Sequence, residues 1–231
     1  MPRKARVLVS GCPHHIVQRG HNRNAVFLAD EDYQFYLENL LEWKTNLEVK
    51  LYGWCLMTNH IHLIVEPMDK PESLSLLMKR LSGRQAAYTN KLEGRCGSLW
   101  QGRFKASPIQ KDAYLLACIR YVELNPVKAG MVKTVAEYPW SSYCERAGLK
   151  ERKLLDFDAS YRALGSTDKD RLTQYRHYLT ECEDSSETKL IRDSLQRNQL
   201  TGDTRFVDEV DRRLGMRIER RGRGRPVSDK T

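Results

Sequence analysis

Apolar positions change their spacing several times along the chain, and each change marks a predicted element. His14, His15, Ile16, Val17, Gln18 and Arg19 read as a short strand, followed by a turn over Gly20–Asn24. Between Asp30 and Leu47 the residues Tyr33, Tyr36, Leu37, Leu40 and Leu41 recur at helical spacing. Asp30 stands where an N-cap is expected, with Glu31 and Asp32 suiting the first turn. Two β-rich runs, 49–56 and 60–65, flank Met57-Thr58-Asn59, and Glu66-Pro67 ends the second. Ser73 can cap a second helix whose stripe is Leu74, Leu77, Met78, Leu81 and Tyr88. Gly94 and Gly97 break that pattern before a strand predicted from Leu99 through Lys105 towards Ile109. A third helix runs from an Asp112 cap to about Leu124. Asn125-Pro126 stops it, because a residue before proline disfavours the helical backbone.

The order β, α, β-β, α, β, α places helices between strands that can pair antiparallel. That predicts an α+β fold, one antiparallel sheet with helices packed on it. After Trp140 strand signals fade, and 168–182, 186–197 and 205–214 read as polar helices. No internal repeat is present. A boundary within 147–166 divides the chain into a domain over 1–150 and a helical extension over 151–231.

Composition narrows the class. Of 231 residues, 40% are hydrophobic and 30% charged, so a core is available and wholesale disorder is excluded. No apolar run approaches the ~18 residues of a membrane span. Arg3, Lys4 and Arg6 precede no apolar stretch with a cleavage site, so the expected location is the cytosol. Cysteines at 12, 55, 96, 118, 144 and 182 form no C-x-x-C pair, which argues for reduced, mostly buried thiols rather than a zinc knuckle or disulfide scaffold.

The net charge of +9 is uneven: +7 over 1–150, −4 over 151–211 and +6 over 212–231. A basic excess suits a polyanionic partner, or simply solubility. Its distribution favours the partner. Lys79, Arg80, Arg84, Lys91, Arg95, Arg103, Lys105 and Lys111 face a single acid, Glu93, and are interleaved with Tyr88, Trp100 and Phe104. Cations neutralise phosphates and aromatic rings stack on unpaired bases, the composition that single-stranded nucleic acid favours. A second cluster closes the chain: Arg212, Arg213, Arg217, Arg220, Arg221, Arg223 and Arg225, with Gly222 and Gly224 between the last arginines. It reads either as an arm for an A·T-rich minor groove or as a loose polyanion-binding tail.

Two residue pairs could carry chemistry. His60 and His62 are two apart on a strand, so both imidazoles leave one face and can share a cation, while Ile61, Leu63 and Val65 fill a core on the other. Tyr121 and Asn125 are helix neighbours, beside a docking stripe of Leu115, Ile119 and Val122. Each pair also has a structural explanation, as satisfied histidines and a packed tyrosine.

Taken together, the motifs resemble a family. Gly11-x-x-His14-His15-Ile16-Val17-x-Arg19-Gly20, Met57-x-Asn59-His60-Ile61-His62-Leu63 and Leu99-Trp100-Gln101-x-Arg103-Phe104-Lys105 are followed by Tyr121-x-x-x-Asn125-Pro126-Val127-x-Ala129-Gly130 and Trp140-Ser141-Ser142-Tyr143. Over roughly residues 10–145 this resembles the REP-associated tyrosine transposases, members of the HUH single-tyrosine superfamily of bacteria.

The resemblance implies a ferredoxin-like sheet, with His60 and His62 as metal ligands, Asn125 in the place of a third, often glutamine, ligand, and Tyr121 as nucleophile. It implies a divalent ion, Mg²⁺ or Mn²⁺, and single-stranded DNA folded into hairpins as substrate. The product would be a 5′-phosphotyrosine and a free 3′-OH, in a bacterial cytoplasmic, nucleoid-associated setting. A phenol ionises near pH 10 and needs help to attack at neutral pH. The competing readings are a catalytically silent hairpin-DNA-binding protein and an RNA-binding module, since such a sheet also suits RNA.

Overall fold

The N-terminal alternating run becomes strand β1 (His14–Arg19), which pairs antiparallel with β3 (His60–Pro67) on one side and β4 (Lys105–Pro108) on the other. Strand β2 (Val49–Met57) returns into β3 through Thr58-Asn59, giving one sheet in the order β2-β3-β1-β4. The computed structural model describes residues 6–151, 153–181 and 185–215.

Strand periodicity divides the sheet into two faces. Ile16, Gln18, Ile61 and Leu63 share one face by register, and His15, Val17, Arg19, His60, His62 and Ile64 share the other. Helix α2 (Glu72–Leu92) packs on the first face, where Ser82 Oγ donates to Gln18 Oε1 at 2.7 Å. Helix α1 (Asp30–Asn46) lies beside it. Helix α3 (Lys111–Glu123) covers the histidine face, with Leu115, Ile119 and Val122 fully buried against the sheet. The predicted docking stripe is therefore the one used, and the architecture is the expected α+β arrangement.

Local signals shift in several places. The N-cap of α1 is Ala29 rather than Asp30, because Asp32 Oδ2 reaches back to accept from the amides of Leu28 (2.7 Å) and Ala29 (3.0 Å). Pro71 and Gln110, not Ser73 and Asp112, precede α2 and α3. The strand expected from Leu99 begins only at Lys105. Gly102 takes a positive φ of 67° and its amide turns back onto Trp100 O, so the extended run is interrupted after a lone bridge between Trp100 and Gly20. Asn125-Pro126 ends α3 but opens a further turn, α4 (Asn125–Lys128), where proline's missing amide is harmless.

Beyond residue 140 follow α5 (Tyr143–Arg146), α6 (Ala159–Arg162), α7 (Asp168–Thr180), α8 (Ser185–Arg197) and α9 (Thr204–Leu214). These later segments share a core with the sheet: Leu154, Tyr161, Tyr175 and Ile191 are buried in the same cluster as Ile16 and Leu63. Glu123 at the end of α3 is fully buried. It accepts from Ser142 Oγ (2.6 Å), Tyr175 Oη (2.8 Å) and Arg146 Nε (3.2 Å). Val207 and Val210 of α9 pack with Val7, Val9 and Cys12 near the N-terminus. The boundary expected near 150 thus marks a change in sequence character, while the described residues on its two sides pack into one another.

Candidate active site

His60 and His62 project from β3 onto the face covered by α3, where period-two geometry puts them together: their ring centroids are 5.1 Å apart. A protein partner holds each ring by Nδ1. His60 Nδ1 donates to Asn59 Oδ1 at 2.6 Å, and the same amide's Nδ2 donates to Arg23 O at 3.1 Å, clipping the 21–24 loop beside the site. His62 Nδ1 lies 2.8 Å from Nε2 of His15, a fully buried residue of β1. The close approach at this corner depends on Gly20, where a Cβ would meet Asn24 O at 2.3 Å.

All three imidazoles are held neutral. Burial pushes His60 down to about 4, with the Arg19 charge adding to it, and pushes His15 down to about 3. Burial, with the neighbouring His15, His60 and Arg19, holds His62 well below the ordinary imidazole range. Neutral imidazole is the form that binds a metal. Among the described residues Nε2 of His60 and of His62 makes no protein hydrogen bond, which leaves two nitrogen donors for a ligand. Among those residues no group of three or more His, Cys, Asp or Glu side chains is placed to hold a metal ion, His15 being spent on His62, so a third protein ligand would come from another type. Asn125 fits: its Nδ2 donates to Tyr121 O (2.9 Å) and Val122 O (3.2 Å), leaving the amide oxygen as acceptor. Two imidazoles and one amide oxygen are a donor set compatible with a divalent ion.

Tyr121 reaches this cluster from α3. Its ring meets His15 edge-on at 5.7 Å and His62 at 6.2 Å, and Lys128 Nζ lies 5.1 Å from its centroid. Tyr121, Asn125, His60 and His62 line one cleft of about 530 Å³ together with Arg19, Arg23, Arg103, Lys105 and Arg192. Among the described residues the lining contains five cationic side chains and no carboxylate. Such a surface attracts a phosphodiester backbone.

The basic stretch 79–111 divides around this cleft. Arg103 and Lys105 line it. Lys79, Arg80 and Arg84 lie on α2, on the other face of the sheet, with Arg80 and Arg84 stacked over Trp43 and Arg84 paired with Glu42. Lys91 ends that helix, and Arg95 pairs with Glu93 at 2.6 Å. Trp100 and Phe104, expected to stack on bases, are instead core residues, 5% and 7% exposed. Trp100 Nε1 donates to Ser82 O, and Phe104 is covered by the Arg6 guanidinium at 3.8 Å. Arg213 donates to Ser10 O, whereas Arg221, Arg223 and Arg225 lie outside the described residues.

Sequence reasoning missed His15, Arg19, Arg23, Lys128 and Arg192. The first two were within reach, since alternate residues of a strand share a face. Arg192 is 132 positions from His60, and local spacing gives no hint of it.

The site is thus a paired-histidine strand of an antiparallel sheet beneath a tyrosine-bearing helix, opening on a basic cleft. The chain belongs to the transposase family described as IS200-like, which matches residues 8–125, just over half of its length. A REP-associated tyrosine transposase of Escherichia coli is 26% identical over 124 residues, covering 53% of this chain and 70% of that protein. A Haemophilus influenzae protein of the same description is 27% identical over 101 residues, 38% of this chain and 56% of its own length, so the chain spans about half of that relative. Among solved structures, a REP-associated tyrosine transposase bound to a REP hairpin matches with a TM-score of 0.55 at 22% identity, over 69% of this chain and 96% of that one. That likeness supports the fold. No helix among the described residues is long and apolar enough to cross a membrane.

Proposed function

We propose that this protein cleaves and rejoins single-stranded DNA at the foot of REP-type hairpins, with Tyr121 as nucleophile. The observation that carries the reading is the convergence of Tyr121, the His60–His62 pair and five cations on one cleft that, among the described residues, holds no carboxylate. Arg19, Arg23, Arg103 and Lys105 hold the backbone so that a phosphorus atom faces the phenol. The Tyr121 oxygen forms a bond to phosphorus as the bond to the 3′ oxygen breaks, leaving a 5′-phosphotyrosine and a 3′-OH. The phenol loses its proton as its oxygen attacks and the leaving 3′ oxygen takes one up to become the 3′-OH, so the step is proton-neutral overall; the Lys128 ammonium lies 5.1 Å from the ring centroid, beside the reacting phenol. Because the ester is conserved, the 3′-OH of another strand can reverse the step without ATP. His60, His62 and Asn125 would hold Mg²⁺ or Mn²⁺, which when bound supplies Lewis-acid stabilisation of the scissile phosphate and the leaving oxygen. The protein's work place is then the nucleoid of a bacterial cytoplasm.

The test is a labelled hairpin with single-stranded flanks, incubated with protein and Mn²⁺ and resolved under denaturing conditions. The wild type should give a denaturant-resistant protein–DNA adduct, and Tyr121→Phe none. No adduct from the wild type across hairpin sequences and metals would remove the enzymatic reading. An adduct from Tyr121→Phe would remove the assignment of the nucleophile.

A further inference from the structure

One wall of the cleft comes from a part of the chain outside the family match. Arg192, Leu195 and Gln196 of α8 line it together with the strand residues, whereas the match ends at residue 125. Arg192 and Gln196 are exposed and four apart, so they stand on one face of the helix, while Ile191 and Leu195 are buried.

The wall is built in, not loosely attached. At the N-terminal end of α8, Glu187 pairs with the buried Arg120 of α3 at 2.9 Å. At its C-terminal end Lys105 Nζ donates to Gln196 O at 2.9 Å, and Asn198 Oδ1 accepts from Ala106 N at 3.1 Å. Thr201 then bridges to Ile109, and its hydroxyl meets Ser107 Oγ at 2.9 Å. The free edge of β4 is thereby covered, and α8 is fixed to the strand that carries Lys105.

We infer that α8 is a DNA-contacting element in which Arg192 binds a backbone phosphate of the strand lying in the cleft. This rests on the DNA reading above and assigns part of substrate binding to the extension. A guanidinium suits a phosphate because its planar fork donates two parallel hydrogen bonds. It shares the cleft with Arg19, Arg23, Arg103 and Lys105, so a strand entering there meets cations from both the sheet region and the extension.

Binding can be separated from chemistry in a Tyr121→Phe background, using fluorescence anisotropy with a labelled flanked hairpin between 50 and 200 mM NaCl. Losing one phosphate contact to single-stranded DNA should lower the slope of log K against log salt by about 0.7. Arg192→Ala should therefore weaken binding and flatten the slope by about that amount. Arg192→Lys should restore most of the slope, and Arg192→Glu should flatten it further. Lys153→Ala, at the opposite β2 edge where Leu154 O binds Lys44, should change neither. If the parent binds with a normal salt slope and all three Arg192 variants match it, the inference is overturned while the DNA reading stands. If the parent binds no hairpin or single strand at 50 mM NaCl, the DNA reading falls and the inference with it.

Discussion

His15 offers the sharpest test of how the histidine pair is held. It is fully buried, its Nε2 lies 2.8 Å from His62 Nδ1, and its own Nδ1 has no partner among the described residues. For His62 to present Nε2 as a lone pair, its proton must sit on Nδ1 and be donated to His15. Replacing His15 with leucine keeps a buried apolar body but removes that acceptor. The Nδ1–H of His62 is then left buried and unpaired, a cost of about 1–3 kcal/mol, and its tautomer and ring orientation are no longer set. Loss of such an outer partner typically lowers metal affinity by about 10–100-fold, equivalent to roughly 1.4–2.7 kcal/mol. The two figures agree. Mn²⁺ binding followed by electron paramagnetic resonance of the free ion should show a dissociation constant raised by about that factor in His15→Leu. His15→Gln, whose amide oxygen can accept the same proton, should lie closer to the wild type. Far-ultraviolet circular dichroism would verify that both variants fold. Wild-type Mn²⁺ affinity in a folded His15→Leu, with affinity lost in His62→Ala, would refute the positioning role.

Three further expectations concern the scaffold. Glu123→Ala should destabilise the fold by about 3–5 kcal/mol in urea, because it strands the fully buried Arg146 guanidinium; a loss under 1 kcal/mol would contradict this. Trp100→Ala should cost about 3–5 kcal/mol as a core truncation, and a stable variant with weakened DNA binding would return Trp100 to a base-stacking role. Stability should fall on acidification. Burial pushes His14 from its ordinary 6.5 down to about 4, against the opposing hydrogen bond to Cys12 O. The unfolded chain therefore binds the proton first. Stability from neutral His14 is complete above about 6.5 and declines as pH drops towards 4, by about 3 kcal/mol in all. His15 acts with the same sign. Urea midpoints that stay level from pH 7.5 to 5 would contradict both.

Local spacing was enough for much of this molecule. The period of two in β3 placed His60 and His62 on one face, and the helical period placed Asn125 beside Tyr121 and buried Leu115, Ile119 and Val122. These relations depend only on backbone geometry within one element, so any chain forming that element has them. The cleft depends on what crosses between elements. The β1–β3 register set His15 and Arg19 on the face of His62, and packing of α8 along β4 brought Arg192 to a tyrosine 71 residues away. The basic run that looked like one surface in sequence was divided because helix α2 packs on one face of the sheet while Arg103 and Lys105 line the cleft on the other. Two of its aromatic residues went inward because burying a large ring stabilises more than leaving it in water. Residue order set the chemistry available; non-local packing decided which of it shares a site.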